Sequence, residues 1–213
     1  MGITDMIYLF SDQPYEGVEH LPLFEIRYTS TPMDISSYDT LIFTSKNALK
    51  ALEALHLPWQ TKACYAIGEA TAQCATRLGG NVLFTCKDSY GDAFARELIP
   101  LLGGKRVLFP RAKEVSSSLF EILKRAGIEI DEQIVYETVC RTYSPSDAPP
   151  KGSKLIFTSP STVHCFFKNF AWDESYRAIA IGTKTADALP PHVKKRVAAK
   201  PSIASCVALA KAI

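Results

Sequence analysis

The chain has 213 residues, 47% of them hydrophobic, with 24 Lys and Arg against 22 Asp and Glu for a net charge of +2. That balance excludes a disordered or fibrous chain and suffices for one generous core or two small ones. No apolar run approaches the roughly 20 residues of a membrane span, and no basic segment followed by an apolar stretch marks a signal peptide, so the cytoplasm is the expected compartment.

The first predicted strand, 6–10, leads into Ser11, Asp12 and a short proline-containing segment with no room for a full helix. Phe24-Glu25-Ile26-Arg27-Tyr28 then alternates with period two, as a half-buried strand does. Strands follow at 40–44, 63–67, 81–85 and 105–110, each separated from the next by helical patterning, which is the rhythm of a parallel sheet covered by helices. Glycines stand where helices end and strands begin: Gly79-Gly80, Gly103-Gly104 and Gly127. Val115, Leu119, Ile122, Leu123 and Ala126 share one helical face and are read as core. A second period-two segment, Gln133-Ile134-Val135-Tyr136-Glu137-Thr138, again breaks the rhythm, and Thr142 to Ser153, with three prolines, reads as a loop. Strands at 153–157, 177–181 and 195–199 complete the chain, with Val163, Phe166, Phe167 and Phe170 forming another core stripe.

One unit is written twice. Leu41-Ile42-Phe43-Thr44-Ser45 returns as Leu155-Ile156-Phe157-Thr158-Ser159 and Ala66-Ile67-Gly68 as Ala180-Ile181-Gly182, both 114 residues on (155−41 and 180−66). A shared offset in a shared order marks a duplication. The middle holds four strands of its own and the C-terminal part three, so the first strand is expected to complete the latter. The expected architecture is α/β, with two similar lobes of parallel sheet flanked by helices. Residues 1–22 with 143–213 form a discontinuous first lobe and 31–131 the second. The segments 23–30 and 132–142 form a two-stranded antiparallel linker, and residues 1–5 a frayed start. Two such lobes facing one another make a cleft.

In an open parallel sheet, ligands bind beyond the carboxyl ends of the strands, where loops enter helices. Ser45 and Ser159 fall there as N-caps, with Pro160 suited to the first helical position. Free N–H groups at Lys46, Asn47, Ser161 and Thr162 would suit carboxylates. The turns at Gly68 and Gly182 offer the same device, with hydroxyls from Thr71 and Thr185, and cations are available in Lys46, Arg111, Lys113 and Lys184. Residues 143–213 carry 10 Lys and Arg against 4 Asp and Glu, compatible with an anionic ligand. No phosphate-binding Gly-rich loop, dinucleotide fingerprint, nucleophile elbow or paired-carboxylate signature is present, which counts against nucleotide-driven and hydride-transfer chemistry. The basic residues form no nucleic-acid-binding module. The six cysteines lack metal-ligand spacing and read as buried reduced thiols, and the four histidines are scattered, so no metal site is expected. Tyr136 lies in the linker, where alternation aims it either at the cleft or, as a β-favouring aromatic, at the packing between lobes.

The two Ile-Phe-Thr-Ser segments, the two Ala-Ile-Gly-x-x-Thr-Ala turns at 66–72 and 180–186, and Ile134-Val135-Tyr136-Glu137-Thr138 between them resemble the uroporphyrinogen-III synthase family over nearly the whole chain. The resemblance implies a cofactor-free hydro-lyase of tetrapyrrole and heme biosynthesis. It would convert hydroxymethylbilane to uroporphyrinogen III with loss of water, ring closure and inversion of ring D. By the same analogy Tyr136 assists departure of the hydroxyl, while Ser45, Lys46, Asn47, Gly68, Thr71, Arg111, Ser159, Ser161, Gly182, Lys184 and Thr185 hold the substrate. The family commonly follows its first strand with a Thr-Arg pair and a full helix, and this chain does not. Two other readings stand beside it: a non-catalytic two-lobed binding protein for an anionic small molecule, and a nucleotide-using α/β transferase, which the missing Gly-rich loop disfavours. A monomer is expected, since no coiled coil or large apolar helix face demands a partner.

Overall fold

The computed structural model describes residues 6–86, 91–115 and 117–213; the reading of residues 1–5 as a frayed start lies outside them. In chain order the elements are β1 (Ile7–Phe10), β2 (Glu19–His20), β3 (Phe24–Tyr28), β4 (Thr40–Phe43), α1 (Lys46–Ala54), β5 (Ala63–Ala66), α2 (Glu69–Arg77), β6 (Asn81–Thr85) and α3 (Gly91–Leu98). They continue with β7 (Arg106–Ala112), α4 (Leu119–Arg125), β8 (Glu129–Cys140), β9 (Lys154–Phe157), α5 (Pro160–Asn169), β10 (Arg177–Ala180), α6 (Thr183–Ala188), β11 (Lys195–Val197) and α7 (Ile203–Lys211). The chain divides into two compact units, one made of the chain up to Glu25 with Thr138–Ile213 and one of Ile26–Glu137.

The first unit is built on a five-stranded sheet in the order β11-β10-β9-β1-β2. Every pairing in it is parallel, and β1 lies between β9 and β2 although it comes from the other end of the chain. Both faces are covered, so its inner strands β1, β9 and β10 carry apolar runs, while the edge strands β2 and β11 are polar. Phe10, Leu155, Phe157, Ala178 and Ala180 face one core, and Leu9, Ile156 and Ile179 the other. On the first of these faces α5 buries Phe166, whose ring meets Phe10 at 5.4 Å and Phe157 at 5.5 Å. Residues 11–18 form no helix, and Ser11 closes its turn by donating to the Gln13 carbonyl.

The second unit carries a six-stranded sheet in the order β3-β8-β7-β4-β5-β6. The pairings from β8 to β6 are parallel. β3 is antiparallel to β8: Thr29 N–H donates to the Val135 carbonyl and Arg141 N–H to the Leu23 carbonyl, so one index rises as the other falls. The two period-two segments therefore extend this sheet, and β8 begins at Glu129, four residues before its period-two segment. Leu41, Phe43 and Leu108 point to one core, and Ile42, Val107 and Phe109 to the other.

The duplication is legible in three dimensions, since β9, β10 and β11 begin 114 residues after β4, β5 and β6 (154−40, 177−63, 195−81). Gly79, Gly104 and Gly127 adopt positive φ at helix ends, as expected. Gly80 has a different reason, because a Cβ there would meet the Trp59 ring at 2.5 Å.

Two expectations require correction. Val115 is 46% exposed and lies ahead of α4. The Ser118 N–H is held by the Asp92 carboxylate at 2.8 Å, and the helix starts only after it. Cys140 and Cys165 are joined in a disulfide with Cα atoms 5.2 Å apart, while Cys64, Cys74, Cys86 and Cys206 are buried thiols outside any disulfide, as expected. The bonded pair meets because the end of β8 packs beside α5, a tertiary fact that no cysteine spacing encodes. The Asn169 side chain secures the same junction, accepting from Tyr143 N–H at 2.8 Å and donating to the Arg141 carbonyl at 2.9 Å.

Candidate active site

Tyr136 owes its direction to an irregularity in β8. The parallel register with β7 runs from Arg106 opposite Glu129 to Arg111 opposite Ile134, then slips so that Ala112 faces Tyr136. One extra residue on β8 breaks the period of two, and Val135 and Tyr136 are consecutively buried at 0% and 7% exposure. Bulges of this kind re-aim a side chain. The Tyr136 ring joins the core of Leu41, Phe43, Ala48 and Leu49, so the packing reading describes its ring within the second unit. Its hydroxyl has a polar neighbour in that unit, the Ser45 side chain. Burial pushes the phenol above the ordinary tyrosine range, and the Ser45 hydroxyl acts in the opposite direction.

Ser45 sits where β4 ends and α1 begins. Its backbone is extended and its side chain accepts from Asn47 N–H at 3.1 Å, as an N-cap does. Lys46 is exposed at the first helical position, and no acid occupies the first turn. The helix start therefore keeps its partial positive charge. In the duplicate, Ser159 accepts from Thr162 N–H at 3.2 Å, and Pro160 has no N–H to offer. Of the four N–H groups expected to be free, those of Asn47 and Thr162 are thus taken by their own caps. The physical reason is that a serine at the N-cap satisfies the nearest orphan donors before any ligand arrives.

The two glycine turns differ from one another. Gly68 is buried with φ 76°, a conformation that suits glycine, and caps α2, whose first turn already holds the carboxylate of Glu69. Gly182 has extended backbone with open space around a would-be Cβ, and caps the six-residue α6. Thr71 and Thr185 are buried within these helices at 6% and 3% exposure, and Lys184 is exposed on the first turn of α6. Ser161 is half-buried at the start of α5.

Arg111 is engaged within its own unit. Its guanidinium donates to both carboxylate oxygens of Glu132 at 2.7 Å and to the carbonyls of Ala112 and Lys113 at 2.8 and 3.0 Å. Four of its five N–H groups are so used, and Glu132 raises its pKa further above the ordinary arginine value. Lys113 pairs with Glu137 at 3.2 Å. Sequence reasoning missed Glu132 because it comes within reach of the Arg111 guanidinium only through the pairing of β7 with β8, where Glu132 lies opposite Phe109.

What these pieces offer chemically is a phenol O–H on a rigid strand beside a helix start with no acidic residue in its first turn. The second unit thus brings Ser45, Lys46, Asn47 and Tyr136 together; Ser159 and Ser161 are grouped separately in the first. Among the described residues, no helix is long and apolar enough to cross a membrane.

Comparison with known proteins supplies the rest. The family model of uroporphyrinogen-III synthase HemD matches residues 16–208. The crystal structure of uroporphyrinogen-III synthetase from Helicobacter pylori is similar at 34% identity, over 97% of this chain and 98% of that one, with a TM-score of 0.84. A mutant uroporphyrinogen III synthase from Thermus thermophilus shares the fold at 17% identity, over 92% of this chain and 89% of that one, with a TM-score of 0.55. A search of curated proteins finds no match. With its duplicated Ile-Phe-Thr-Ser strands, its antiparallel β3–β8 pair and a family match over nearly its whole length, the chain belongs to the uroporphyrinogen-III synthase family.

Proposed function

We propose that Tyr136 is the hydrogen-bond donor to the departing hydroxyl in this chain's reaction, and that the helix starts of both units hold the substrate's carboxylates. The reaction is that of the family: a cyclising hydro-lyase of heme biosynthesis converts hydroxymethylbilane to uroporphyrinogen III. The single observation that carries the assignment is the family match over residues 16–208 together with 34% identity across the chain.

The substrate's chemistry explains why no strong acid or nucleophile is needed. Hydroxymethylbilane loses its hydroxyl readily and closes unaided to the uninverted isomer, so the enzyme's task is to decide which carbon of ring D attacks first. Holding ring D so that its substituted α-carbon reaches the carbocation gives a spiro intermediate and then the inverted product. A phenol held above its ordinary pKa is a hydrogen-bond donor and not a full proton donor. It supports the leaving oxygen while water departs.

For the substrate's eight carboxylates, we propose Ser45, Lys46, Asn47, Gly68 and Thr71 of the second unit, and Ser159, Ser161, Gly182, Lys184 and Thr185 of the first. The α1 start has the best case among them, because it alone joins an N-cap serine to Tyr136. Arg111 is proposed to act through the loop it braces, since Glu132 already neutralises it. We place the enzyme in the cytoplasm as a monomer, acting without nucleic acid or cofactor.

The experiment is product analysis. The protein is incubated with freshly prepared hydroxymethylbilane and the uroporphyrinogen isomers are resolved after oxidation. Isomer III is expected in large excess over isomer I; a ratio equal to the protein-free control overturns the reading.

A further inference from the structure

By strict alternation along β8, Tyr136 would share a face with Ile130 and Glu132. Ile130 packs into the core of Ile42, Val107 and Phe109, whereas the Tyr136 ring lies on the other face, with Leu41, Phe43 and Leu108. The extra residue in β8 carries it across. Whatever holds that slip in place therefore decides which face of the sheet receives the phenol. The slip falls beside the peptide group that joins Ala112 to Lys113. Its N–H donates to the Tyr136 carbonyl at 2.8 Å, and its carbonyl accepts from Arg111 Nη1, also at 2.8 Å. A peptide group is planar and stiff, so a guanidinium that fixes its oxygen also fixes the direction of its N–H. The same Nη1 donates to the Lys113 carbonyl at 3.0 Å.

Arg111 is in turn directed by Glu132, whose two carboxylate oxygens accept from Nε and Nη2 at 2.7 Å each, a fork that fixes the plane of the guanidinium. Glu132 stands opposite Phe109 and reaches Arg111 on the diagonal, so the pair ties the regular part of the β7–β8 ladder to the displaced part. Exposed ion pairs contribute little. This one is bidentate, with the Arg111 side chain 14% exposed. By contrast Arg106–Glu129, which joins the same two strands at their other end, is a 3.5 Å contact with Glu129 73% exposed. Resting on the assignment of Tyr136 above, we propose that Glu132 is a positioning residue: through Arg111 and the Ala112–Lys113 peptide it locks the one-residue slip that sends Tyr136 to the face of Leu41 and Phe43. Without its carboxylate the guanidinium turns to whatever anion arrives, a substrate carboxylate included, and releases the peptide that holds the Tyr136 carbonyl.

The test follows amide hydrogen exchange in the full chain, free of substrate, in Glu132→Ala, Glu132→Gln and Glu129→Gln. Both Glu132 variants are expected to speed exchange of the Lys113 N–H about tenfold or more while the amides of β4 and β5 keep their wild-type rates. Glu129→Gln is expected to change neither. In turnover, Glu132→Ala is expected to lower kcat about tenfold with KM within about twofold of the wild type, a fraction of what a general acid or its equivalent supplies. Added to Tyr136→Phe it is expected to lower kcat no further, because residues that act as a unit are not additive. Unchanged exchange at Lys113 overturns the proposal whatever the turnover, and so does exchange that rises equally throughout the chain, which a merely structural pair would produce. A kcat that stays at the wild-type value while KM falls identifies Glu132 as a competitor for Arg111 and overturns its part in catalysis. A tenfold loss repeated in the Tyr136→Phe background overturns the route through Tyr136. Exchange needs no substrate, so it separates this inference from the assignment of the reaction, which the isomer ratio decides, and from that of the phenol, which Tyr136→Phe alone decides. If Glu132→Ala fails to fold, the Gln variant, equal in shape, carries the kinetic arms as well.

Discussion

Tyr136 concentrates two roles in one side chain, with its ring in the core of the second unit and its hydroxyl beside Ser45. Tyr136→Phe keeps the ring and removes only the oxygen. The expected outcome is a fall in kcat of about 10²-fold or more, with the thermal midpoint nearly unchanged because a single net hydrogen bond is worth about 1 kcal/mol. Wild-type turnover in the Phe variant would remove the phenol from the mechanism. The pH dependence has a definite sign as well. Burial raises the phenol's pKa from 10.0, so the donating form persists through neutral pH. Loss of activity assigned to this group therefore belongs above the ordinary tyrosine range, and Tyr136→Phe should abolish that limb of the profile.

At the scale of elements, β8 and α5 are joined by the Cys140–Cys165 disulfide and by the Asn169 amide. The disulfide closes a loop of 25 residues by sequence separation, and a loop of that length lowers the entropy of the unfolded chain by about 3 kcal/mol at 25 °C. Cys140→Ser should lower the urea midpoint accordingly. Reductant should do the same to the wild type and nothing further to the variant. A wild type indifferent to reductant would place the stability of this junction in Asn169 and the packing of Phe166 instead. The helix starts belong to this scale too. Four look alike in their strand–turn–helix pattern, yet α2 begins with Glu69, α6 is one and a half turns long and α5 is closed by its own box. Among these four, only α1 combines an acid-free start that lacks a capping box with a neighbouring phenol.

At the scale of the molecule, the compact unit Ile26–Glu137 contains most of β3 and β8, which lie at one side of its sheet. We propose that this unit is an autonomous folding domain. A fragment covering 26–137 is then expected to unfold cooperatively, whereas one covering 31–131 should not, because it discards β3 along with Val135 and Tyr136 from the core. Equal behaviour of the two fragments in denaturant titrations, read by circular dichroism, would show that the linker strands are dispensable to that core. The other unit takes β1 from the start of the chain in between β9 and β2, so truncation there would open a buried strand position.

Much of this was written in the sequence. The eight strands of the α/β rhythm, the two period-two segments and the 114-residue offset are local or repetitive signals, carried by the alternation of side chains and the punctuation of glycine, and all appear as strands in the fold, with the alternation of β8 interrupted at Val135 and Tyr136. The order and spacing of the repeated motifs likewise pointed to the family. The tertiary structure alone decided which groups meet. A one-residue slip between β7 and β8 turns Tyr136 inward toward Ser45, the same two strands set Glu132 against Arg111, and the packing of β8 on α5 brings Cys140 to Cys165. Such partners are distant along the chain and depend on register, and register is set by how whole elements pack and not by the residues on either side of the site.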